Sequence, residues 1–142
     1  MAKNEILVKI GSWAFIGGII LAGLVGIYQA TTIEGQSLVA ADYGFFGTEM
    51  GGWVAWILAI LGVIIGILAA IGRGTITTRE TPGFLMAGIA LVVMASVFIG
   101  WNQIITPWIG SLLSGVSMSL AIFVAPTVGI LAVRAIYNMG KD

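Results

Sequence analysis

The sequence predicts an all-α membrane protein with four transmembrane helices. Hydrophobic residues make up 59% of the 142 residues and charged residues only 8%, whereas a soluble domain carries about 25% charged residues. The charges are also clustered, which leaves uncharged stretches over residues 10–33, 50–72 and 81–133. An apolar stretch of about 20 residues is long enough to cross the hydrocarbon core as a helix. A soluble fold of this size could not bury so much apolar surface.

Each span is expected to be helical, because lipid offers no hydrogen-bond partner to exposed backbone groups. Strands of a membrane barrel would alternate apolar and polar residues, and stretches such as ILAILGVIIGILAAI do not alternate. We place the four spans of a single domain at residues 10–28, 53–71, 84–101 and 116–137.

A short helix is predicted between spans 3 and 4. Thr106 and Pro107 resemble a helix start, and the segment WIGSLLS that follows them is succeeded by Gly115. This segment is too short to cross a membrane. Residues 106–114 therefore predict an interfacial or re-entrant helix on the outer side.

The basic residues predict the orientation. With four spans, all six fall on one side: Lys3, Lys9, Arg73, Arg79, Arg134 and Lys141. The positive-inside rule makes that side cytoplasmic, so we expect a multi-pass protein of the cell membrane with both termini inside. Span 1 is longer than a typical signal-peptide core and lacks a clean small-residue cleavage motif, so we expect no cleavable signal peptide.

Small residues recur at four-residue spacing in three of the spans. Residues four apart share one helix face, and a face of small side chains lets two backbones approach closely in a membrane. We therefore predict helix packing at three stripes: Ala14, Gly18, Ala22 and Gly26; Gly62, Gly66 and Ala70; and Ser117, Ala121, Ala125 and Gly129. One small bundle does not need three stripes, so we expect at least one to contact another copy of the chain. The alternative is that all three are internal.

Pro126 lies near the middle of span 4 and predicts a kink. Proline has no N–H and crowds the carbonyl four residues back, which here belongs to Ile122. In a helix bundle a hydroxyl or a neighbouring helix can bind such a carbonyl, and Thr127 and Ser119 are near enough along the helix. The kink is either a static bend that fits the bundle or the hinge of a gate.

Aromatic and basic residues near the span ends predict anchors at the membrane surfaces. Tryptophan favours the headgroup region, and a long Arg side chain can lie along apolar surface while its guanidinium reaches the headgroups. We assign this role to Trp13, Trp53, Trp101, Trp108 and Arg134. A binding role is the alternative for Arg134.

The outer loop, residues 29–52, differs in composition from the rest of the chain. It carries Glu34, Asp42 and Glu49 without any basic residue. Its stretch DYGFFGTEMGG is either a loop at the membrane interface or a plug whose aromatic residues close a mouth, with acids that attract cations.

The sequence gives no indication of catalysis. It contains no His and no Cys, and so lacks the usual ligands of transition metals and the usual nucleophiles with their bases. No GxxxxGK[ST] phosphate loop occurs, and no acidic residue lies in the middle of a span, as a proton relay would require. We expect a protein that is not an enzyme, uses no cofactor or metal and binds no nucleic acid.

Four segments share motifs with known sequences. They are IGSWAFIGGIILAGLVG, then LGVIIGILAA followed by TTRETPGFLMAGIALVVMA, and finally AIFVAPTVGILAVRAIYNMGKD. Together they resemble a group of small archaeal membrane proteins of unknown function. The resemblance covers most of the chain outside the outer loop. It implies an archaeal source and the same four-helix topology, and it implies no activity.

Two classes of function fit these features. The first is a structural or envelope component that self-associates into a membrane homo-oligomer. The second is a passive oligomeric channel for small solutes, lined by hydroxyls and glycines. An accessory subunit of a larger membrane complex is a further alternative. The expected partners are the lipid bilayer, copies of the chain itself and, for the accessory subunit, an unidentified membrane protein.

Overall fold

The computed structural model describes residues 2–34, 44–73, 76–105 and 107–141. These residues form helices and turns, with no β-strand among them. The helices are α1 (Ala2–Ile33), a short 3-10 helix (Gly44–Gly47), α2 (Glu49–Ala70), α3 (Thr81–Phe98), α4 (Trp101–Ile104) and α5 (Ile109–Lys141). Four of these, α1, α2, α3 and α5, are long and apolar enough to cross a membrane. The predicted all-α class with four helices of spanning length is confirmed.

The first and last helices are longer than the predicted spans. α1 has 32 residues and α5 has 33, so each is about 50 Å long at about 1.5 Å per residue. Predicted span 1 began after Lys9, but α1 includes Lys9 and begins at Ala2. Predicted span 4 already included Arg134, and α5 extends beyond that span at both ends, from Ile109 to Lys141. Lysine and arginine are good helix formers, so a charge ends an apolar stretch without ending the helix.

The prediction of a separate helix over residues 106–114 is wrong. Residues 109–114 form the first turns of α5 and continue directly into the span. The short helix between α3 and α5 is α4, which lies earlier in the chain. Gly115 does not end a helix, because it lies inside α5 where that helix meets α1. A Cβ added at Gly115 would lie 2.7 Å from the backbone nitrogen of Ala30.

α5 is the central helix of the bundle. α1, α2 and α3 all pack along it, whereas α1 and α2 contact each other much less. Phe123 of α5 is fully buried at the centre, together with Ala22 of α1 and Leu58 of α2. The Phe123 ring lies 6.1 Å from the Phe15 ring, which lies 5.9 Å from the ring of Phe84 in α3. These aromatic contacts connect α1, α3 and α5.

The two ends of the bundle differ in charge. At one end α1 begins, α2 ends, α3 begins and α5 ends. The six Lys and Arg residues all belong to these segments, and we call this the basic end. The opposite end carries Glu34, the 3-10 helix, Glu49, α4 and the start of α5. Asp42, Tyr43 and Thr106, which entered the predictions above, lie outside the described residues.

Candidate functional site

The candidate site is the surface of α5, because most buried polar side chains of the bundle belong to this helix. The buried hydroxyl residues of α5 are Ser111, Ser114, Ser117, Ser119 and Thr127. In a membrane helix a hydroxyl can serve as a link to a neighbouring helix. The acceptors of the hydrogen bonds from these hydroxyls therefore identify the helices to which α5 is bonded.

Two of the hydroxyls donate hydrogen bonds to neighbouring helices. Ser119 Oγ donates to the carbonyl oxygen of Ala22 in α1 at 2.6 Å. Thr127 Oγ1 donates to the carbonyl oxygen of Gly62 in α2 at 2.7 Å. A carbonyl oxygen has two lone pairs, so it can accept such a bond in addition to one from its own helix. These two residues join α5 to α1 and to α2.

Pro126 lies within α5 at its contact with α2. The two hydroxyls suggested as partners for the Ile122 carbonyl donate to other helices instead, because each hydroxyl has only one proton to give. Beside the proline the two helices approach closely. A Cβ added at Gly62 would overlap the carbonyl oxygen of Phe123 and would lie 3.5 Å from Cδ of Pro126.

The first predicted stripe contains two glycines that lie against α5. A Cβ added at Gly18 would overlap the Phe123 ring, and one added at Gly26 would lie 2.6 Å from Cα of Val116. A ring can shift, but the backbone of α5 cannot shift without moving the helix. Gly26 therefore sets the approach of α1 to α5 more strictly than Gly18 does.

The second predicted stripe also lies against α5. A Cβ added at Gly66 would lie 3.0 Å from Cα of Thr127, and Gly62 makes the contact beside Pro126 described above. The alanines of the first two stripes differ in burial: Ala22 is fully buried, whereas Ala14 and Ala70 are half-buried.

The third predicted stripe begins inside the bundle and ends on its outside. Ser117 is buried, Ala121 is half-buried, and Ala125 and Gly129 are exposed. Apart from its chain neighbours and the adjacent backbone of α5 itself, no atom of the described residues lies within 4 Å of a Cβ added at Gly129. At 3.6 residues per turn, each step of four residues advances about 40° beyond a full turn. The stripe therefore rotates away from the packed side of α5 towards its outer surface.

Glu34 holds the start of α5 at the end of the bundle opposite the basic residues. Its carboxylate accepts hydrogen bonds from the backbone N–H of Trp108 at 3.2 Å and from the hydroxyl of Ser111. Negative charge is favoured beside the N-terminus of a helix, where backbone N–H groups lack helical partners. Trp108 has a φ of 68°, which is uncommon for a bulky residue. The acid considered above as a possible attractor of cations is thus engaged by protein donors.

The aromatic part of the outer loop is attached to the end of α1. The backbone N–H groups of Phe45 and Phe46 donate to Thr32 Oγ1 at 3.1 Å and to Gln29 Oε1 at 3.2 Å. The Phe45 ring also makes an edge contact with the Tyr28 ring at 5.0 Å. These contacts hold the 3-10 helix against α1.

Two buried amide residues were not identified from the sequence. Gln29 binds the 3-10 helix as described, and Asn102 Nδ2 donates to the carbonyl oxygen of Ile33 at 3.0 Å. Both are almost completely buried. A usable signal was present for Gln29, because it is the only amide side chain in the uncharged stretch over residues 10–33.

Arg134 caps the end of α2. Its Nη1 donates to the carbonyl oxygen of Ala69 at 3.0 Å. The last carbonyls of a helix lack helical partners and form the negative end of its dipole, so a guanidinium is favoured there. The side chain is partly buried, and it connects the end of α5 to the end of α2.

Glu80 orders the turn before α3. Its Oε2 accepts from the backbone N–H of Thr77 at 3.2 Å and from the hydroxyl of the same residue at 3.0 Å. The backbone hydrogen bond, followed by the hydroxyl bond, lowers the pKa of the Glu80 carboxyl below its usual value. The carboxylate is fully exposed.

The predicted tryptophan anchors differ in their surroundings. Trp13, Trp53 and Trp108 are exposed, as contact with a lipid headgroup would require. Trp101 is half-buried, and its ring lies 4.5 Å from the Phe98 ring. Trp101 therefore packs against the end of α3.

The described residues contain no cluster of three or more His, Cys, Asp or Glu side chains that could hold a metal ion. Comparisons with known proteins give no match: no family model, no curated protein and no solved structure is significantly similar to the chain. The function is therefore inferred from the packing of α5 and from the contacts at the two ends of the bundle.

Proposed function

We propose that the protein is a non-enzymatic structural component of a cell membrane that associates with copies of itself. The observation that supports this proposal is the open surface at Ala125 and Gly129. The glycines of the first two stripes are covered by α5, whereas these two residues of the third stripe are exposed. We call this exposed pair the open stripe.

An open stripe of small residues has a specific advantage in a membrane. Lipid tails are as apolar as leucine, so helices associate there through close van der Waals packing rather than through the hydrophobic effect. Much of the outer surface carries large side chains such as Met86, Ile89 and Val93 of α3, which suit contact with lipid tails. At the open stripe a second backbone can approach closely.

We also propose that the basic end faces the cytoplasm, because the positive-inside rule favours that side for Lys and Arg. Both ends of the described chain would then be cytoplasmic. The 3-10 helix and α4 would lie at the outer surface, where Trp108 reaches headgroup depth.

The passive channel has less support than self-association. The hydroxyls of Ser119 and Thr127, which a pore within one chain would need, donate to α1 and α2 instead. A pore would have to lie between copies. Passage of small solutes into liposomes that contain the protein would support the channel.

The test of self-association is the mass of the particle in mild detergent, measured by light scattering without crosslinker. We expect the native chain to form an oligomer and the double substitution of Ala125→Leu and Gly129→Leu to reduce it to a single chain. Ala90→Leu is the matched control, because Ala90 is an exposed small residue on α3. A native particle of one chain, or a double variant of unchanged mass, would contradict the proposal.

A further inference from the structure

A cavity lies at the basic end between the start of α3 and the last turns of α5. Its volume is about 310 Å³, and ligand pockets begin at about 300 Å³. The polar lining consists of Thr78, Thr81, Arg134 and Asn138. These residues stand on the turn before α3, on its first turn and on the last turns of α5.

The deeper wall of this cavity is apolar. Leu85 lies one turn further into α3 than Thr81, and Leu131 lies about one turn further into α5 than Arg134. Since the two helices run in opposite directions, both leucines lie towards the middle of the bundle. The cavity therefore changes from polar to apolar with depth, as a site for an amphipathic molecule must.

Arg134 carries a positive charge that no carboxylate of the described residues pairs with. Its hydrogen bond goes to the neutral carbonyl of Ala69. The carboxylate of Glu80 lines a different hollow, together with Arg79 and Phe15. A guanidinium carries a fork of N–H donors suited to phosphate, and the single bond to Ala69 leaves most of that fork unused.

We infer that this cavity binds an anionic phospholipid from the leaflet at the basic end, with its phosphate on Arg134 and part of an acyl chain beside Leu85 and Leu131. Basic pockets between membrane helices are suited to anionic headgroups. A charge-assisted hydrogen bond to phosphate would offset the partial burial of the guanidinium. The apolar wall excludes free phosphate as the best ligand, because it would leave that wall unfilled. The inference does not depend on self-association.

The test is native mass spectrometry of the full chain in a neutral detergent, with added phosphatidylglycerol or phosphatidylcholine of equal chain length. We expect preferential retention of phosphatidylglycerol. Arg134→Gln should weaken that retention about tenfold, the scale of one charge-assisted contact. Arg79→Gln removes the same charge from the other hollow and should leave retention unchanged. Equal retention of the two lipids, or equal effects of the two substitutions, would overturn the inference.

A second variant covers the possibility that Arg134→Gln unfolds the protein. Leu85→Trp fills the apolar wall while Arg134 stays in place, and it should also reduce retention of phosphatidylglycerol in a folded particle. Unchanged retention in this variant would overturn the site. Glycerol phosphate at the same concentration should not displace the lipid, and displacement would overturn the role of the acyl chain. Lipid bound to single chains would support the site even if self-association failed.

Discussion

Gly26 lies where the backbones of α1 and α5 come together. We expect Gly26→Ala to lower the free energy of unfolding by about 2 kcal/mol, the usual scale of overpacking. The added methyl would meet Cα of Val116 at 2.6 Å, so the helices would have to separate. Gly17→Ala is the control, because open space surrounds Gly17 and alanine is the better helix former. Reversible unfolding in a denaturing detergent measures both, and equal losses would contradict the argument.

The hydrogen bonds from Thr77 make the turn before α3 sensitive to acid. They lower the pKa of the Glu80 carboxyl in the folded protein below its usual value. The stabilisation is therefore complete above the unfolded pKa and is lost as the pH falls through the folded one. We expect the melting temperature to fall in this acidic range by more in the native chain than in Glu80→Gln. Identical pH profiles would show that these hydrogen bonds add no stability.

At the scale of the helix, the sequence predicted that each spanning helix exists, but it did not predict which side of each helix faces the core. Ile64 of α2 is exposed and Ile65 is buried, although the two side chains are identical. In a soluble helix the polar face identifies the outside. In these spans both the lipid-facing and the core-facing sides are apolar, so the rotation of a helix has to be inferred from small residues.

The glycines indicate the packed side of each helix only in part. It marked the contacts at Gly26 and Gly62, yet Gly115 suggested a helix end where the structure has a close contact with α1. A glycine that ends a helix and one that admits a neighbouring backbone are identical in sequence. The contacts of Gln29 and Asn102 were not predicted, because their partners at Phe46 and Ile33 are distant along the chain.

The kink predicted at Pro126, which lies inside α5, can be tested by substitution. Pro126→Ala restores a backbone donor to the Ile122 carbonyl, but it also removes the shape that fits α2 at Gly62. We expect a net loss of about 1 kcal/mol in the free energy of unfolding, because packing defects outweigh one membrane hydrogen bond. Solute flux in liposomes should stay unchanged.

Pro82→Ala serves as the control for this substitution. Pro82 stands in the first turn of α3, where a missing N–H breaks no helical bond, so little change in stability is expected. A more stable Pro126→Ala variant would show that Pro126 strains α5. A large change in flux with intact assembly would identify Pro126 as a gate.

For the whole molecule, the distribution of charge predicts the topology. We expect a C-terminal reporter that is active only outside the cell to remain silent. Both ends of the chain lie at the basic end, which the positive-inside rule assigns to the cytoplasm. The same reporter inserted within residues 35–43 should be active, since one spanning helix separates that segment from the basic end. An active C-terminal reporter together with a silent loop reporter would place the basic end outside the cell.

The central position of α5 has a consequence for biosynthesis. The ribosome makes α1, α2 and α3 before α5, so three helices enter the membrane before the helix on which they pack. Until Ile109–Lys141 is inserted, Gly26 and Gly62 face lipid or wrong partners. We expect nascent chains stalled before Ile109 to be cleaved rapidly by membrane proteases, and completed chains to resist. Equal lifetimes would mean that the first three helices assemble unaided. Faster cleavage of the stalled chains would mean that quality control of this protein depends on the insertion of α5.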